Sequence, residues 1–161
     1  MKRYLFMLLL PLLALGVAAQ VNIEAPEPYA EVTDKNGEMS ELSAGGEFSG
    51  EAPVVLKLYA NAEEVDGYSL VCSWEFFKEG ETEPYLVRYD NEVEIELRES
   101  GATIVQPVIV YTSRADSEIY WEFGAEVYEP FRVVLSEANL EAPNAFSPNG
   151  DGINDYYNVY K

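Results

Sequence analysis

The sequence predicts an all-β protein: a β-sandwich of about seven strands that follows an N-terminal leader. Three observations carry this. Apolar residues alternate with polar ones in short runs, most cleanly in EVEIEL at 92–97, where Val93, Ile95 and Leu97 interleave with three glutamates. Successive side chains of a strand point to opposite faces, so this spacing belongs to a half-buried strand. Turn-forming pairs separate the runs: Asp66-Gly67, Glu79-Gly80, Asp90-Asn91 and Ser100-Gly101, with Gly124 further on. Beyond the leader, no segment carries helical periodicity.

The chain opens with MKRYLFMLLLPLLALGVAAQ. Lys2 and Arg3 precede an apolar run from about Tyr4 to Val17, and Ala18 and Ala19 follow. This is the pattern of a secretory signal peptide spanning 1–19, with Gln20 as the new N-terminus. The run is short for a membrane span and is interrupted by Pro11, so no stable span is expected after cleavage.

Residues 20–52 read as an N-terminal extended segment, rich in Glu, Ala, Gly, Ser and Pro. It holds one expected strand at Tyr29–Thr33, a turn at Asn36-Gly37 and a break at Gly45-Gly46. The sandwich itself is expected over 53–137. VVLKLYA at 54–60 places Val54, Leu56 and Leu58 on one face, and SLVCSWEFF at 69–77 does so with Leu70, Cys72, Trp74 and Phe76. YLVRY at 85–89 is a weaker run. ATIVQPVIVYT at 102–112 is long and apolar, with Pro107 marking an edge or a bulge. EIYWEF at 118–123 groups Ile119, Trp121 and Phe123, and FRVVLSE at 131–137 groups Phe131, Val133 and Leu135. The predicted core is Leu56, Cys72, Trp74, Ile95, Val108, Trp121 and Val133. Seven short strands in about 85 residues fit an immunoglobulin-like arrangement, without its inter-sheet cysteine pair. VCSWEFFKEG followed by ESGATIVQPVIVYT resembles the polycystic-kidney-disease-type (PKD-like) variant of that sandwich.

Composition excludes several chemistries. There is no histidine, which removes Ser-His, Cys-His and His-metal sites. Cys72 is the single cysteine, so no internal disulfide forms, and its apolar neighbours make it a small core residue. Without Lys2 and Arg3, eight basic residues face 29 acidic ones, a formal charge of −21. Such a field repels phosphate backbones and anionic lipid, so nucleic acid is not an expected partner.

Residues 138–161 contain PNAFSPNGDGINDYY, which runs from Pro143 to Tyr157. Pro148 presets one tight turn, and Asn149-Gly150 and Asp151-Gly152 tolerate positive φ. Two readings stay open. The stretch is a pair of turns, or Asn149, Asp151, Asn154 and Asp155 converge on a hard cation such as calcium, which takes six to eight oxygens. Pro143 to Asp155 also resembles, position by position, the opening of the gliding-motility-associated C-terminal domain of Bacteroidetes, a type B sorting signal of type IX secretion. The resemblance implies export through the inner membrane, passage across the outer membrane and the type IX machinery as a partner. That family's domain continues for further β-strands beyond the length available here. A truncated product is therefore one expectation, and a periplasmic location would follow from it.

Three functions are weighed. The first is a secreted or cell-surface binding or structural module that is not an enzyme and whose partner is a surface protein or a glycan. The second is a carbohydrate-binding module with Tyr85, Tyr89, Tyr111, Tyr120 and Tyr128 as an outward platform. The third is a two-carboxylate glycosidase, which needs a cleft that small sandwiches rarely form. The first is the expected one.

Overall fold

The structure, a computed structural model, describes residues 21–138. Ten strands form it: β1 (Tyr29–Thr33), β2 (Met39–Ser43), β3 (Glu47–Glu51), β4 (Val54–Tyr59), β5 (Tyr68–Lys78), β6 (Leu86–Tyr89), β7 (Glu92–Leu97), β8 (Gly101–Ser113), β9 (Tyr120–Phe123) and β10 (Phe131–Ser136). Among the described residues there is no helix. The expected leader at 1–19, and the stretch with Asn149, Asp151, Asn154 and Asp155, lie outside the described residues.

One sheet has the order β2-β1-β4-β7. The other runs β3-β10-β8-β5-β6, with β9 also paired to β8. All pairings are antiparallel except β3 with β10, which is parallel. The two sheets share one core, a sandwich-like arrangement. Val32, Leu56 and Leu58 contribute from the first sheet, and Trp74, Phe76, Ile109, Phe131 and Val133 from the second, all fully buried. The alternation expected in 54–58, 70–76 and 131–135 is the one observed, because each strand buries one face only.

Several expectations need correction. The segment 20–52 is not separate from the sandwich: β1 lies between β2 and β4, and β3 extends the other sheet beside β10. This gives ten strands rather than about seven. The two strands not expected, β2 and β3, bury little along their own sequence, with β2 almost wholly exposed, so their composition resembles a linker. Val108 is not a core residue. It sits on the outer face of β8, near Gly124, while its neighbour Ile109 takes the inner position. In a nearly continuous apolar run, period two does not reveal which parity faces inward. Ile95 and Trp121 are only partly buried and pack at the core's margin, because β7 ends one sheet and β9 is a short strand against one part of β8.

Pro107 marks neither an outer edge nor a bulge. It is fully buried in β8, and the register from Tyr68↔Ser113 to Lys78↔Thr103 is unbroken. The other edge of β8 is shared: β10 covers residues 101–105 and β9 covers 109–112. Pro107 sits in the gap between them, where a missing N–H breaks no ladder bond. The buried side chain of Gln106 spans the same gap, donating from Nε2 to the carbonyls of Pro107 (3.1 Å) and Tyr128 (3.3 Å).

Candidate functional site

β5 has eleven residues and β6 has four. β8 covers β5 along its whole length, whereas β6 pairs only with Ser73–Phe76. The other edge of Tyr68–Cys72 therefore has no strand partner among the described residues. The local sequence explains why β6 stops. After Tyr89, Asp90 and Asn91 carry the chain across to the first sheet. The Asn91 side chain donates to the Ala62 carbonyl (3.2 Å) and accepts from the Ala62 N–H (3.3 Å). The Asn91 carbonyl accepts from Ala60 N–H (2.8 Å), and the Trp74 indole donates to the Asp90 carbonyl (3.1 Å). These bonds hold the crossing in place, so β6 cannot extend past Tyr89.

The direction of the unpaired groups follows from the ladder. Gly67 C=O accepts from Arg114 N–H and Glu79 N–H donates to Ala102 C=O, so odd residues of β5 turn toward β8. Phe76 C=O accepts from Tyr85 N–H on the opposite side. With no bulge between, Leu70 and Cys72 point their N–H and C=O groups to the open edge. Tyr68 N–H is already taken by Val65 C=O at 3.0 Å, in the turn where Gly67 adopts φ +83°.

A groove of about 570 Å³ runs along this edge. Leu70 and Cys72 line it from within, Val71 and Tyr89 from the outer face, and Asp90 and Arg114 from its ends. Val71 is 49% exposed and Tyr89 72%, so both stand free. Burial, and secondarily the Asp90 charge, pushes the Cys72 thiol up to about 11, so it is neutral and unreactive at physiological pH. A slightly larger hollow of about 620 Å³ lies where Ala52, Pro53, Arg98 and Glu137 meet, beside the end of the edge strand β7. Among the described residues no group of three or more His, Cys, Asp or Glu side chains could hold a metal ion. No described helix is long and apolar enough to cross a membrane.

The five tyrosines expected as a platform separate into two sets. Tyr111 and Tyr128 are buried, and their hydroxyls donate to the carbonyls of Glu63 (2.9 Å) and Pro26 (2.7 Å). They are structural. Tyr85, Tyr89 and Tyr120 are exposed. Lys78 Nζ lies 4.9 Å from the Tyr85 ring centre. Tyr89 faces outward opposite Ser73, and Tyr120 opposite Thr112. Strand spacing and rise put these two roughly 14 Å apart across the sheet and roughly 13 Å along it, so they form no continuous row. The aromatic pair that does form was not foreseen. Tyr29 and Tyr59 stack at 4.6 Å and 11° on the outer face of the first sheet. Tyr59 donates to Glu31 (3.0 Å), and that bond holds its hydroxyl pKa above the usual value. Only the register Tyr29↔Tyr59 reveals the pair.

No protein-family model, curated protein or solved structure matches this chain.

Proposed function

We propose that this chain is an exported, non-enzymatic binding module. An immunoglobulin-like sandwich is its scaffold, and it acts at the cell surface or after secretion. The observation that supports binding most directly is the open β5 edge. Tyr68–Cys72 leave backbone groups unpaired beside a groove and the exposed Tyr89. Unpaired edges are usually blunted by charge, proline or cover, and here Ser69 and Val71 do neither. Export rests on the leader pattern at 1–19 and on the resemblance of Pro143–Asp155 to a type IX sorting signal. The acidic surface fits an extracellular role in which self-association is suppressed. A glycan-binding reading draws on Tyr85, Tyr89 and Tyr120, which remain exposed.

A single thiol tests the exported location. Val71→Cys is placed in a Cys72→Ala background and expressed in a Bacteroidetes host. A membrane-impermeant maleimide is then added to intact cells and to the medium. The expected result is labelled protein whose mass places its N-terminus at Gln20. Labelling only after lysis, on a chain that keeps its leader, would overturn the proposal.

A further inference from the structure

We propose that the open edge of β5 takes an added strand from a basic, extended polypeptide whose residues alternate between Lys or Arg and small apolar side chains. This rests on the binding-module reading and names its ligand class. The backbone makes the case for a strand. Leu70 and Cys72 present two N–H and two C=O groups at the spacing of an antiparallel ladder, in line with β6 and beyond its end. A strand of about five residues fills the length from Tyr68 to Cys72, an ordinary strand length. Main-chain bonds of this kind give affinity, and pockets for alternate side chains give specificity.

The side chains define the occupant. Partner residues opposite Leu70 and Cys72 would project into the groove, where the half-buried leucine and the neutral thiol offer an apolar floor. Short apolar side chains such as Val or Ala suit that floor beside the Asp90–Asn91 crossing. Partner residues opposite Ser69 and Val71 would project outward beside Tyr89. There the ring face and the carboxylates of Glu64 and Asp90 favour a cation. Glu63 and Asp66 are exposed close by Glu64 in the sequence, and Arg114 is the sole cation among the residues lining the groove. A formal charge of −19 disfavours a second copy in this position and raises the encounter rate of a basic partner.

The test uses the isotopically labelled full chain and two capped heptapeptides, Lys-Val-Lys-Val-Lys-Val-Lys and its counterpart with Glu for Lys. Amide exchange is read by NMR residue by residue. The lysine peptide should slow exchange at Leu70 and Cys72 by about tenfold at nine-tenths occupancy, and the glutamate peptide should not. Val71→Lys, at an exposed position, should weaken the lysine peptide and improve the glutamate one. Leu70→Pro removes one donor on the open side and should weaken the lysine peptide, with its melting curve as the check on folding. Equal protection by both peptides, or none by either, overturns the proposal. So does protection of Leu70 and Cys72 in the chain alone. Dependence of that protection on protein concentration would identify a second copy as the occupant, and independence would identify another part of the same chain. A chain labelled on intact cells that takes no peptide refutes only this occupant. One that takes the peptide but stays inside the cell refutes only the surface role.

Discussion

Replacing Trp74 by alanine removes the largest fully buried side chain of the sandwich. Its ring centre lies 6.3 Å from Phe131, tilted by 46°, and its indole N–H donates to the Asp90 carbonyl. A buried aromatic takes about 150–250 Å² out of water, worth about 4–6 kcal/mol at about 25 cal/mol per Å². The alanine keeps part of that, and the neighbours relax partly, which brings the expected loss to about 3–5 kcal/mol. For a chain of this size that is a fall of about 10–20 °C in Tm. Trp74→Phe keeps most of the packing and loses the bond that anchors the β6–β7 crossing, so it should cost about 1–2 kcal/mol. Urea unfolding followed by far-UV circular dichroism measures both, with an unchanged slope showing that only stability moved. A loss below about 1.5 kcal/mol for Trp74→Ala would refute the core assignment, because a cavity of that size cannot close without cost.

Other consequences are equally direct. Tyr128→Phe deletes the bond to the Pro26 carbonyl, so stability should fall by about 1–3 kcal/mol, and a glutamate-specific protease should cut faster after Glu24. Burial raises the Cys72 thiol from 9.0 to about 11 and the Tyr128 hydroxyl from 10.0 to about 12. Both hold their proton more tightly when folded, so their contribution is complete below pH 9. It is then lost as pH rises, through 9–11 for the thiol and 10–12 for the phenol, which a series of alkaline unfolding curves would trace. Arg132 reaches Glu47 at 2.7 Å and Glu79 at 2.6 Å on an exposed surface. Arg132→Ala should therefore cost no more than about 1 kcal/mol, and high salt should shrink the difference.

The inward faces of β4, β5 and β10 were legible in the sequence because each of these strands buries one face and exposes the other. EVEIEL was legible for the same reason, although its place at a sheet edge leaves Val93 and Ile95 only partly covered. β1 was read at its observed bounds, Tyr29–Thr33, but the next two strands were harder to read. β2 and β3 gain their place from pairing with β1 and β10, and their own side chains carry little pattern. ATIVQPVIVYT hid its parity, since residues on both faces are apolar and Gln106 is buried under Tyr128. The groove could not be read from motif or composition. It exists because Asn91 is bonded to Ala62 in the β4–β5 connection, which ends β6 early and leaves five residues of β5 uncovered. That is a relation between distant segments.

The most direct test of this account is amide exchange along β5 in the chain without any ligand. Leu70 and Cys72 should exchange fast, while Val71 and Ser73, whose N–H groups turn to β8, should be protected. Uniform protection from Leu70 to Ser73 would contradict the open edge, and the proposed binding surface would be lost with it.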